Sequence, residues 1–202
     1  MLQLTPPTDA QIRRLLADQR PRPYSYRAVG ATRTRPPAWH TVDHNRVRLG
    51  SGRAVWERAV AAVRRWEMFH LGWVRLYWPD TPIAAGSTVA VVSRQWGFWS
   101  VNAARIVYVV CDDGPVARFG FAYGTLPHHV ERGEERFCVE WRHADDSVWY
   151  DILAFSRPHH PLLIPGYPVA RIVQRRFARD SKRAMRRAVH AQEESARGRG
   201  AT

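Results

Sequence analysis

The densest concentration of chemistry-bearing side chains is FGFAYGTLPHHVERGEERF, residues 119–137, which holds a His pair, a Glu pair and the hydroxyls of Tyr123 and Thr125. Neighbouring side chains on a strand point to opposite faces. Glu134 and Glu135 therefore cannot flank one bond as a paired general acid and base. Either one, if buried, would have its pKa raised and be open to an acid/base role; the alternative is an ion pair with an arginine such as Arg157. His128 and His129 sit between Pro127 and Gly133, in a hairpin loop. Adjacent histidines diverge, so they do not share one metal ion. They read as solvated or capping residues, with proton transfer by His129 as the functional alternative. Tyr123 and Thr125 share a strand face with Phe119 and Phe121, opposite Arg118, Gly120, Ala122 and Gly124. Their hydroxyls either enter a cavity or take part in sheet packing, and the small face would let a helix or another backbone approach closely.

Other constellations narrow the chemistry. A second pair, His159-His160, follows the last apolar strand. His40 and His44 lie near a strand, where a spacing of four residues is about 13 Å. Neither Cys-x-x-Cys nor His-Glu-x-x-His occurs, so no metal ligands are assigned. No glycine-rich loop precedes a helix, so no nucleotide or other cofactor is expected. Ser156 lacks a Gly-x-Ser-x-Gly setting and is not read as a nucleophile. Arg157 has a planar fork suited to a ligand carboxylate or phosphate, or to pairing with Glu134, Glu135 or Asp151.

The elements that must position these residues follow from periodicity. Thr8-Asp-Ala-Gln11 has capping-box spacing and predicts a helix over 8–19. Residues 20–38, with four prolines, read as a connector. Residues 42–49 alternate as a strand, and RAVWERAVAAVRRWEMF, 53–69, is an amphipathic helix. The period then becomes two, with strands at 73–78, 87–95, 98–111, 116–125, 134–142 and 147–156 separated by short turns. Pro161 to Pro168 ends the sheet. A long helix over 167–190 follows, with Val169, Ile172, Val173, Phe177, Ala184, Met185, Ala188 and Val189 as its apolar stripe. The fold class is α+β: a curved antiparallel sheet of about seven strands wrapped round a long C-terminal helix, with a helix after the first strand. Residues 1–23 form an N-terminal helix and linker, 24–190 one domain, and 191–202 a basic tail expected to be disordered.

The 202 residues carry a net charge of +13, and its placement matters. Residues 49–170 are neutral, and the excess sits on the two ends. Arginine outnumbers lysine thirty to one, a skew that resembles GC-rich codon usage and weakens any argument from arginine count. The last helix has seven arginines, yet the aromatics lie in the sheet and no helix-turn-helix is visible. No specific nucleic-acid binding is expected, only weak attraction to polyanions or membrane surfaces through Arg171, Arg175, Arg179, Arg183 and Arg186. No apolar run is long enough to span a bilayer. Two cysteines, Cys111 and Cys138, are too few for a disulfide framework, and the expectation is a cytoplasmic protein with two reduced, buried thiols.

GFAYGTLPHHVERGEERFCVEW, VWYDILAFSRP and YPVARIVQRRFARDSKRAM together resemble the uncharacterised protein family 0548, or domain of unknown function nineteen-ninety. The resembling motifs are Tyr123 to Pro127, His129, Gly133 to Phe137, Phe155 to Pro158 and Gln174 to Phe177, with Gly30-Ala-Thr32 and Asp43-His44 upstream. His128 and Val130 depart from it, where the family usually has Gly and often has Pro. The resemblance implies a START-like, helix-grip (SRPBCC-type) fold and no settled activity, since fold alone does not choose a function.

A sheet gripping a helix leaves a cavity between them. The leading reading is a non-enzymatic protein binding a small hydrophobic or amphipathic ligand there, with Tyr123, Thr125, His129, Glu134, Trp149 and Arg157 as contacts. One alternative is an enzyme using the same cavity with His129 or Glu134 as general acid/base. Another is a basic scaffold for nucleic acid or an anionic membrane.

Overall fold

The computed structural model describes residues 2–158 and 167–199. His159, His160 and most of the proline-bounded segment after them fall outside the described residues, as do 200–202. A two-residue strand β1 (Leu2–Gln3) precedes α1 (Asp9–Gln19). Thr8 Oγ1 accepts the Gln11 N–H, and Gln11 Oε1 accepts the Thr8 N–H at 2.8 Å, the reciprocal pair of a capping box. Then come β2 (Thr41–Ser51), α2 (Arg53–Arg64), β3 (Val74–Tyr77), β4 (Thr88–Gln95), β5 (Phe98–Asp112), β6 (Val116–Thr125), β7 (Glu131–Arg142), β8 (Ser147–Pro158) and α3 (Tyr167–Arg199).

The strands form one antiparallel sheet in the order β2-β8-β7-β6-β5-β4-β3, with β1 added to β5. Both α2 and α3 cover the same face. There the main core gathers Val63, Trp66, Phe69, Phe121, Phe137, Tyr150, Ile152 and Met185. On the other face α1 seals a smaller core of Ile12, Leu16, Ala90, Val92, Val101, Ala103 and Leu126. The alternation seen in the strands is thus filled on both sides, which is why β6 is buried along nearly all its length.

Polar side chains fasten α3 to the edge strand β2 as well as to the core. Arg171 grips Asp43 with both arms of its guanidinium, Lys182 Nζ donates to Asn45 Oδ1 at 3.1 Å, and Arg186 Nε donates to the Arg48 carbonyl at 3.3 Å. Arg171 is therefore committed to the fold and does not present a surface charge to a polyanion, contrary to the expectation from charge alone. Arg175, Arg179, Arg183 and Arg186 are exposed.

Several boundaries differ from those read from periodicity. The helix over 53–69 stops at Arg64, because Trp66 takes a left-handed φ of 57° and buries its indole, donating to the Thr81 carbonyl at 2.9 Å. The following turn drives Met68 and Phe69 into the core. Strand β7 begins at Glu131, three residues early, because β8 continues to Pro158 and pairs with it. Helix α3 runs on to Arg199. Cys138 is buried, but Cys111, one residue from the end of β5, is exposed.

The proline-rich connector is tightly placed. Tyr24 donates to the Ile106 carbonyl, and the Ser25 N–H to the Thr125 carbonyl at 2.9 Å. The small face of β6 receives this segment rather than the helix. A Cβ on Gly124 would lie 2.2 Å from the Tyr26 hydroxyl, so only glycine leaves room for that ring.

Candidate functional site, a cavity under the C-terminal helix

Cross-strand register explains where the sheet leaves space. Facing α2 and α3, one row reads Phe121, Phe137, Ile152, Asn45, and the next Phe119, Val139, Tyr150, Val47. Those bulky side chains fill the interior. Toward the other end, the next row is Tyr123, Glu135, Ala154, Asp43, and beyond it Gly133, Ser156 and Thr41 align, with Thr125 hydrogen-bonded to Gly133. Ala154 and Gly133 leave the space below α3 unfilled, and polar contacts cross to the helix, from Ser156 Oγ to Gln174 Nε2 at 3.1 Å and from Asp43 to Arg171. The result is a cavity of about 570 Å³, roofed by Val169, Val173, Gln174 and Phe177.

The cavity's carboxyl groups come from one face. Tyr123 Oη donates to Glu135 Oε2 at 2.9 Å. Burial pushes Glu135 up to about 8, and the charges of Glu131 and Asp43 add to that rise, while the Tyr123 hydrogen bond opposes it. Glu135 thus holds a proton at neutral pH. Gln174 Nε2 donates to Glu131 at 2.7 Å, and burial raises this carboxyl as well. Burial and the neighbouring Glu135 keep the Tyr123 phenol un-ionised. A protonated carboxyl in an apolar cavity can donate a hydrogen bond to a ligand or exchange a proton with it. The carboxylates do not close on one point: among the described residues, no group of three or more His, Cys, Asp or Glu could hold a metal ion.

The expected contact residues separate. Tyr123, Thr125, His129 and Glu134 are among the residues that line the cavity, although the Glu134 carboxylate itself is turned away from it. The Thr125 hydroxyl accepts the Gly133 N–H at 3.0 Å and lies 2.6 Å from Ser25 Oγ, so it stitches the β6–β7 turn to the connector. His129 Nδ1 accepts the Glu131 N–H at 3.0 Å, a capping contact within the loop.

Glu134, Trp149 and Arg157 point to the other face of the sheet. Glu134 is 3% exposed, and its carboxylate accepts from Tyr26 Oη at 2.7 Å, Gly30 N at 2.6 Å, Thr32 N at 3.0 Å and the Thr32 hydroxyl. It anchors the connector, and among the described residues it forms none of the arginine pairs expected for it. Gly30 takes a left-handed φ of 86° to turn its N–H inward. Trp149 lies under the guanidinium of Arg46 and donates to Ser147 Oγ. Arg157 is exposed on the same face as His40 and Phe155. The residue that the reading missed is Glu135. Its signal was its spacing of two from Phe137 and four from Val139, both core residues.

The cavity opens between apolar side chains. Trp96 (68% exposed) and Phe98 (49% exposed) stand at the β4–β5 hairpin, with Val130 and Val169 also exposed on its lining.

An antiparallel sheet closed over a long C-terminal helix, with a cavity between them, defines an α+β helix-grip domain. Sequence comparison then places it more narrowly: the chain belongs to the family described as "Domain of unknown function (DUF1990)", which matches residues 25–184. A UPF0548 protein of Dictyostelium discoideum is 38% identical over 202 residues, covering 91% of this chain and 93% of the relative. One from Deinococcus radiodurans is 40% identical over 200 residues, covering 94% and 99%. Among solved structures, Ara h 8.0201 superposes with a TM-score of 0.49 at 9% identity, covering 75% of this chain and 99% of that one. No helix among the described residues is long and apolar enough to cross a membrane.

Proposed function

We propose that this protein binds a small, largely apolar ligand in the cavity between the sheet and α3, with the Tyr123–Glu135 pair as its polar contact. The observation that carries this reading is the step in side-chain size along the sheet. Rows of Phe, Tyr and Ile give way to Ala154, Ser156 and Gly133 where α3 passes overhead. A core built only for stability would fill that space, since unfilled volume is destabilising. About 570 Å³ falls within the roughly 300–1,000 Å³ of small-molecule sites. Trp96, Phe98, Val130 and Val169 supply an apolar entrance, and Thr125 and His129 belong to the wall.

The test is thermal stabilisation by a panel of medium-chain alcohols. A ligand bound to the folded state alone raises the melting temperature with concentration. Ala154→Phe, which fills the floor, is expected to abolish that rise while leaving the circular dichroism spectrum unchanged. A rise that persists unaltered in Ala154→Phe, or no rise with any apolar ligand, overturns the reading.

The exposed Arg175, Arg179, Arg183 and Arg186 support a separate, weak attraction to polyanions or anionic membrane surfaces. It is expected to fall steeply with salt and to be lost when the four are changed to Gln; salt-independent binding rules it out.

A further inference from the structure

We infer that the cavity's occupant is cationic: an amphipathic amine or quaternary ammonium whose charged group rests against Glu135 and whose apolar part fills the space under α3. This rests on the reading of the cavity as a ligand site and names the ligand's chemical class.

Groups from four strands face Glu135. From β7 comes Glu131, from β2 Asp43, from β6 the Tyr123 hydroxyl, and from β8 Tyr150, whose hydroxyl lies 2.9 Å from Ser181 Oγ. The ionisable neighbours that bear on Glu135 are therefore acids and phenols. The basic residues along the cavity are engaged elsewhere or exposed. Arg171 is clamped on Asp43 and Gln174, Lys182 is held by Asn45, Arg179 pairs with Asp180, and Arg175 is exposed. In the loop, His129 caps the Glu131 N–H.

A carboxyl group in that setting has two ways to avoid an uncompensated buried charge. It can keep its proton, or it can ionise against a cation that enters the cavity. The surroundings discriminate among ligands. At neutral pH a fatty-acid carboxylate or a phosphate would find Glu135 protonated, but it would lie beside the carboxyl groups of Glu131 and Asp43, with no positive charge facing Glu135 to offset theirs. An enolate or other oxyanion developing there would meet the same field. A cation removes the like-charge repulsion and supplies the missing counter-charge, and the aromatic faces of Tyr123 and Phe177 add cation–π attraction. The carboxylates do not converge on a point as metal ligands must, whereas an organic cation spreads its charge over several ångströms.

The coupled step balances simply. Glu135 gives up its carboxyl proton to solvent, and the carboxylate left behind pairs with the incoming cation; no covalent bond to the ligand forms. Because burial sets Glu135 at about 8 in the empty protein, a permanently charged ligand must displace a proton at neutral pH. Its affinity then rises as the pH is raised toward 8.

Isothermal titration of the 202-residue chain with decyltrimethylammonium, decanol and decanoate, the two ions below their micellar concentrations and decanol below its solubility limit, tests this. Decyltrimethylammonium is expected to bind at least tenfold more tightly than decanol at pH 7.5, with decanoate weakest. Its binding heat should vary with the ionisation enthalpy of the buffer, reporting a released proton that decanol binding does not release. Glu135→Gln, which keeps an acceptor for Tyr123, should remove the ammonium preference and the proton release while decanol still binds. Equal affinities for ammonium and alcohol, or ammonium binding without proton release, overturn the cationic assignment and leave the apolar-ligand reading standing. Failure of all three probes to bind overturns both.

Discussion

Tyr123 and Glu135 face each other across β6 and β7, with the phenol donating to the carboxyl at 2.9 Å in the same row of the sheet as Ala154 and Asp43. The pair makes stability depend on pH in a stated direction. The folded pKa of Glu135, about 8, lies above its unfolded value. Its contribution is fully present below the unfolded value and is lost as the pH rises through 8. Glu135→Gln cannot ionise and is expected to lack this loss. At pH 9 the variant should be more stable than the parent by at least about 1 kcal/mol, or roughly 2–4 °C in melting temperature for a chain of this size. Melting curves at pH 6 and pH 9 check it, and a difference that does not grow with pH refutes the assignment.

Tyr123→Phe removes the donor that opposes the rise in the Glu135 pKa. The titration of Glu135 is expected to move further up, visible in carbon-13 carboxyl shifts. At pH 7, where Glu135 is protonated, the loss should be about 0.5–1.5 kcal/mol. At pH 9 it should be larger, because the ionised carboxylate loses its hydrogen-bond donor.

Glu134 does a different job on the opposite face, where Tyr26, Gly30 and Thr32 donate to one buried carboxylate. Glu134→Ala strands those donors and is expected to destabilise by about 2–4 kcal/mol. The loss should be local first, so trypsin should cut at Arg27 and Arg33 sooner than in the parent. Ligand affinity in a folded Glu134→Gln protein should be nearly unchanged. A large loss of affinity there would return Glu134 to the site.

Gly133 tests how closely β7 and β8 approach beside the cavity. A Cβ at this position would lie 1.9 Å from the Phe155 carbonyl oxygen. Backbone cannot yield as a side chain can, so Gly133→Ala is expected to cost about 2 kcal/mol or more and to disturb the cavity floor. Urea unfolding measures the first, and the decanol affinity the second.

Much of the fold was legible because local signals agreed with it. The Thr8 to Gln11 capping box placed α1, and the change of period after Trp73 placed the strands. Strand β6 announced its two faces, since aromatics alternate with small residues. The candidate site was half legible. Tyr123, Thr125 and His129 reach the cavity, whereas Trp149 and Arg157 do not. In VWYDILAFSR both alternating sets contain large apolar residues, because the outer face of β8 is covered too: Tyr26 and His40 pack on Phe155. Periodicity cannot tell two buried faces apart.

The sequence by itself determined the element order, the split of the Glu pair between faces and the placement of the charge excess at the ends. These depend on alternation, capping and composition, which act over a few residues. Only the tertiary structure decided which glutamate entered the cavity. It likewise decided that Arg171 serves the fold and that the proline-rich connector is anchored by Glu134. Each of those outcomes depends on partners far away in the chain, Glu134 with Tyr26 and Arg171 with Asp43. The physical reason is that a buried polar group takes its role from whatever is brought within hydrogen-bonding distance, and no spacing along the chain encodes that distance.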